Sequence, residues 1–212
     1  MAEDTFTQLP LYLDPTTKAI SCPSLQTPSI QAELAALNST HKALLSLDGN
    51  LTVPPPPLPL NPKRSAAIQK MREQGNASLA RRTAGSNPQQ NIQDAIKYYS
   101  YAIDMALQRP PWEPASIVRD EIAILMSNRS QGYIGLQAWP EGAIDAETSV
   151  EMKAGPGQGK AWWRRSRCLL EMGRVDEALE VVDKALDLEG GDGSAELKSL
   201  KAEIESRIKR QS

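Results

Sequence analysis

From residue 63 onward, apolar and small side chains recur at three- and four-residue spacing, the period of helices that bury one stripe. The clearest run is Trp162, Ser166, Leu169, Gly173, Ala178, Val182 and Ala185. It predicts two helices joined by a tight bend, touching where Ser166 and Ala178 leave room for close approach. The same order recurs twice upstream. One copy has Met71 and Gly75, then Ala95, Tyr99 and Ala102, with eight extra residues within 81–90 lengthening its bend. The other has Met126, Ser130 and Tyr133, then Ala143, Glu147 and Val150, with a poorly fitting second helix and one extra residue near Trp139-Pro140. Between these two copies, Arg109-Pro110-Pro111-Trp112-Glu113-Pro114 falls in a connection longer than the pattern allows. After the last copy, Asp192–Arg210 reads as an amphipathic helix with Leu197, Leu200 and Ile204 on one side, the solvating cap that a helical solenoid needs.

The N-terminal part is patterned differently. Leu9, Leu11 and Leu13 alternate with Pro10 and Tyr12, as in a half-buried strand. Asp14-Pro15-Thr16-Thr17 is a turn signal, and Lys18–Cys22 returns as the second strand. Thr27-Pro28 then opens a helix to about Leu47, with Ile30, Leu34, Leu37, His41 and Leu44 on one stripe and Asp48-Gly49-Asn50 as the stop. Residues 53–62 form a proline-rich stretch that reads as a stiff spacer, although it also fits a Pro-x-x-Pro ligand. The expected organisation is therefore a small α+β module over 1–52, a linker over 53–62, and an all-α solenoid over 63–210. The solenoid comprises three helix pairs and a capping helix. A hairpin plus one helix is small for a core of its own, so the module is expected to pack on the rest of the chain or on a partner.

Composition narrows the chemistry. Hydrophobic residues make up 40% of the chain, enough for a packed core, while aromatics are 5% with Phe6 the single phenylalanine. A formal net charge of −2 argues against a general nucleic-acid binder. Charge is nevertheless segregated: residues 160–167 carry Lys160, Arg164, Arg165 and Arg167 with no acid, whereas residues 171–189 are strongly acidic. A local basic patch in an acidic chain suits an acidic peptide. The two cysteines, Cys22 and Cys168, make no disulfide framework and point to a reducing compartment. His41, the one histidine, lies on a packing stripe without a second ligand nearby, so no metal site is expected. No phosphate loop or catalytic constellation is present, and neither enzymatic activity nor a cofactor is expected. The N-terminus lacks the basic region and apolar core of a signal peptide. No apolar run approaches the ~20 residues needed to cross a bilayer, so membrane association would come through a partner.

The candidate chemistry lies on the first helices of the three copies. Residues four apart share a helix face, so Arg72 projects with Asn76, and Lys160 with Arg164. Asn128, in Ser127-Asn128-Arg129, lies on the corresponding helix of the middle copy. All five are hydrogen-bond donors. A terminal carboxylate with a preceding acidic side chain offers the acceptors to match them, through charge-assisted bonds. Lysine and arginine on helix surfaces are ordinarily just solvated charge. Matching donors in three consecutive repeats are what single these out as a peptide-binding set.

The repeats resemble tetratricopeptide (TPR) repeats, whose unit is ~34 residues. The five donors over residues 63–210 resemble those of carboxylate-clamp TPR domains, which hold the C-terminal Glu-Glu-Val-Asp tail of heat-shock chaperones. Arg72 departs from the family's usual lysine; it keeps the charge but offers a planar fork of donors. On Arg109-Pro110-Pro111-Trp112-Glu113, on Asp120-Glu121-Ile122 and on the order of its modules, the whole chain is similar to the small peripheral TPR subunits of the fungal complex for post-translational translocation into the endoplasmic reticulum. That resemblance implies an adaptor on the cytosolic face of the endoplasmic reticulum. Its N-terminal module would dock on membrane-anchored translocon subunits, and its clamp would receive chaperones of the seventy-kilodalton class carrying unfolded precursors. A free cytosolic co-chaperone would use the same clamp without the docking partner. A purely structural TPR scaffold would need no clamp at all.

Overall fold

The computed structural model describes residues 9–24, 26–45, 62–81, 87–110, 113–153, 156–189 and 195–211. The chain divides into two compact units, Met1–Leu60 and Asn61–Ser212. The helix stop at Asp48-Gly49-Asn50, the spacer up to Asn61, and Pro111-Trp112 lie outside the described residues.

In the first unit, β1 (Tyr12–Leu13) pairs antiparallel with β2 (Ile20–Ser21), Tyr12 facing Ser21 and Leu13 facing Ile20. Asp14 makes the turn, its Oδ1 accepting from the backbone N–H of Thr16 at 2.8 Å and of Thr17 at 2.6 Å. Helix α1 (Pro28–Leu45) is tied to the hairpin by Asn38. Its amide accepts from Ile20 N and donates to Ile20 O, each at 2.7 Å, as a neighbouring strand would. The alternation of Leu9, Leu11 and Leu13 predicted a half-buried face, and here the structure differs: the strands are two residues long and all three leucines are exposed, Leu11 at 57%. One helix and two short strands have too little surface to cover them.

Among the described residues of the second unit, all regular structure is helical. Pairs α2 (Pro62–Ala80) with α3 (Pro88–Leu107), α4 (Ala115–Gly135) with α5 (Trp139–Met152), and α6 (Gly159–Glu171) with α7 (Val175–Glu189) follow one another, and α8 (Ala195–Gln211) closes the series. Leu197, Leu200 and Ile204 bury the inner side of α8 against α6 and α7. In the first pair, Gly75 sits against the ring of Tyr99, where an added Cβ would come within 2.5 Å. In the third, Ser166 Oγ donates to Ala178 O at 2.8 Å.

The middle pair corrects the expected register. Ser130 Oγ donates to Gly142 O at 2.7 Å, the same twelve-residue separation as Ser166 to Ala178. Gly142, Ala146 and Ser149 therefore occupy the crossing positions, rather than Ala143, Glu147 and Val150; Ala146 and Ser149 are fully buried, and Glu147 pairs with Arg165. There is no extra residue near Trp139-Pro140. Gln137, seven residues after Ser130, holds φ 59°, as Gly173, seven after Ser166, holds φ 80°. A left-handed glutamine is uncommon, which hides from the sequence a bend of ordinary length.

Candidate anion-binding groove

The first helices α2, α4 and α6 bring four of the five predicted donors to neighbouring cavities. Asn76, Asn128 and Arg164 line one of about 440 Å³, together with Leu79, Ala80, Tyr99 and Gln131. Lys160 lines an adjoining cavity of about 630 Å³ between α6 and α8, with Trp163, Arg167, Leu200 and Glu203 among its walls. Gln131 and Arg164 line both, so the two cavities adjoin at these side chains. Arg72 lines neither cavity. It lies one turn before Asn76 on α2, and its Nε is buried without a hydrogen-bond partner.

The arginines divide by what they meet. Arg129, the neighbour of Asn128, turns away from the groove: its fork takes both oxygens of Asp145 at 2.7 and 2.8 Å, and it lies over the Tyr133 ring. Arg165 meets Glu147, and Arg167 meets Glu171 and Glu203. Arg164 is different. Its guanidinium donates to neutral acceptors, Gln131 Oε1 at 3.1 Å and both the carbonyl (2.9 Å) and hydroxyl of Ser127. Burial pushes its pKa below the usual arginine value, partly offset by Tyr99 and Glu196 nearby. Among the described residues, no carboxylate forms an ion pair with Arg72, Lys160 or Arg164. A half-buried cation hydrogen-bonded only to neutral dipoles is a poor stability device but a prepared site for an anion.

Three residues beside the predicted donors complete the groove. Ser127 and Gln131 fix the Arg164 head group, and the Tyr99 hydroxyl donates to Asn76 Oδ1 at 2.8 Å. The repeat pattern cast Tyr99 as a packing residue only, and its ring does pack, on Gly75. The available signal was its type. This position of the repeat ordinarily carries Phe, so the hydroxyl is an addition. Among the described residues no group of three or more acidic, histidine or cysteine side chains could hold a metal ion, and no helix is long and apolar enough to cross a membrane.

No family model matches the chain. A subunit of the ER protein translocation subcomplex from Schizosaccharomyces pombe, sec67, is 29% identical over 154 residues, 72% of this chain and 75% of the relative. The heat-shock protein cognate co-chaperone sgt12 of Aspergillus fumigatus is 30% identical over 129 residues, 61% of this chain but only 31% of that longer protein. Among solved structures, the Sgt2 TPR domain from Aspergillus fumigatus aligns with a TM-score of 0.55 at 24% identity, over 71% of this chain and 82% of that domain. The second TPR domain of human RPAP3, in complex with the HSP70 peptide SGPTIEEVD, aligns at 0.52 and 19% identity, over 67% and 98%. The chain is thus a TPR solenoid of three helix pairs with a capping helix, preceded by a small α+β module, and it is similar to a fungal subunit of endoplasmic reticulum translocation.

Proposed function

We propose that the groove binds the acidic C-terminal tail of a seventy-kilodalton-class heat-shock chaperone. In this reading the chain is a non-enzymatic adaptor that brings chaperone-bound precursors to the endoplasmic reticulum translocon, as a peripheral subunit on its cytosolic face. Arg72, Asn76, Asn128, Lys160 and Arg164 are the peptide-binding residues. The observation that carries this is Arg164, desolvated at the junction of two cavities and bonded only to neutral acceptors. A carboxylate arriving there supplies the missing counter-charge without displacing an internal acid. The likeness to sec67 favours the translocon as the place of action, and the RPAP3 complex with an HSP70 peptide favours the ligand class.

Calorimetry with a peptide ending Glu-Glu-Val-Asp, as free acid and as C-terminal amide, tests the ligand. The free acid is expected to bind with a dissociation constant on the order of 10 µM, about −7 kcal/mol, and the amide much more weakly. The double variant K160E/R164E should lose the free acid while keeping its helical circular dichroism. Equal affinity for acid and amide, or retained binding by the charge-reversed chain, would count decisively against the clamp. The likeness to sgt12 favours a second reading, a free co-chaperone using the same groove. Recovery of membrane-anchored translocon subunits on the full chain would decide for the adaptor, and their absence for the co-chaperone.

A further inference from the structure

In the wall of the 440 Å³ cavity, three polar side chains meet at one oxygen. The Tyr99 hydroxyl reaches Asn76 Oδ1 at 2.8 Å, and Asn128 Nδ2 approaches the same atom at 3.3 Å. With Asn76 Oδ1 accepting both bonds, the other terminus of the amide is its NH₂ group. Neither N–H of Asn76 Nδ2 is committed to a described residue, and Asn76 is exposed at the cavity wall. Tyr99 itself is fully buried, its ring clamped between α2 and α3 by contact with Gly75, so its hydroxyl is held in place from behind. Burial also pushes the phenol up to about 12, against the opposing pull of Arg164 and Arg72, so the hydroxyl remains a donor at any physiological pH.

We propose that Tyr99 is a positioning residue for the groove: its hydroxyl fixes the Asn76 amide with the NH₂ group turned toward the ligand carboxylate. Without that bond the asparagine of the free chain can present either oxygen or nitrogen, and the oxygen-first orientation repels a carboxylate. Tyr99 fills a packing position and works one residue removed from the ligand. The ligand here is that of the proposed function, whereas the amide orientation is a property of the free chain and can be measured without it.

The test is Tyr99→Phe. The repeat ordinarily accepts phenylalanine at this position, and the ring contact with Gly75 is kept, so the thermal midpoint should not fall. In the free protein, the Asn76 side-chain NH₂ signals, assigned by their loss in N76A, should move in the ¹⁵N–¹H spectrum of Y99F. Affinity for the free-acid peptide should drop about fivefold, the scale of one hydrogen bond. That loss should vanish in the N76A background, because Tyr99 has nothing left to orient. Unmoved Asn76 signals, or losses that simply add in the double variant, overturn the proposal. So do moved signals with unchanged affinity for the free acid. A parent chain that binds acid and amide alike would instead overturn the ligand reading, and the Asn76 signals would still decide the orientation.

Discussion

Gly142 and Cys168 meet where α5 crosses α6, and the contact leaves no room for growth. A Cβ at position 142 would lie 2.9 Å from Cys168 Sγ, and Cys168 is fully buried, its thiol pushed up to about 12 by desolvation. The thiol is a packing group here, with little thiolate for chemistry. Gly142→Ala gains helix propensity but overpacks this crossing, so a net loss of about 1–3 kcal/mol is expected in urea unfolding. Adding Cys168→Ala should return much of that loss. Strict additivity of the two changes would mean the contact does not limit the crossing. The glycine's role was hidden in the sequence by Gln137. With a glutamine holding the left-handed position that Gly173 holds in the next pair, the bend looked one residue longer and the small-residue positions slid by one.

The α3–α4 connection shows how an element boundary is held. Arg109 leaves α3 and is buried, its Nη2 donating to Glu121 Oε1 at 2.6 Å and to Ser65 Oγ at 2.9 Å, and its Nε to Glu121 Oε2 at 2.8 Å, while Nη1 meets Glu113. One guanidinium thus joins α2, the connection and α4. Arg109→Ala would remove the buried guanidinium that meets both Glu113 and Glu121, and should destabilise the helical unit by about 3–5 kcal/mol in thermal or denaturant melts. A loss no larger than that of a surface pair, ~0.5 kcal/mol, would show that the cluster does not hold the boundary. The unusual length of Arg109–Pro114 was plain in the sequence; the burial of Arg109 was not, since arginine is rarely buried and its three partners come from both sides of the connection. Elements with strong apolar periods fared better: α6, α7 and the inner face of α8 follow the spacing of Trp162, Leu169, Val182, Leu197 and Ile204 closely.

At the scale of the molecule, a cationic groove sits within a chain of net charge −2. Binding of an acidic peptide should therefore weaken as salt rises, by roughly tenfold between about 0.05 and 0.5 M sodium chloride, as the screening length shrinks to a few ångströms. The half-buried Arg164 is screened less than exposed Lys160, so a residual affinity should persist; salt-independent binding in calorimetry would remove charge as the basis of recognition. What the sequence determined by itself was local and periodic. It showed which segments are helices, which side of α6, α7 and α8 is apolar, and that Arg72 with Asn76 and Lys160 with Arg164 share a face, because the helical repeat alone dictates these. What only the tertiary structure decided was which polar groups find partners. Arg129 and Arg164 are equally basic in sequence, yet one is neutralised by Asp145 and the other is hydrogen-bonded to Gln131 and Ser127 with no ion pair among the described residues. The Tyr99 hydroxyl likewise reaches Asn76 only because two helices pack at Gly75. Pairing and desolvation depend on side chains brought together from distant parts of the chain, and no period along one helix encodes them.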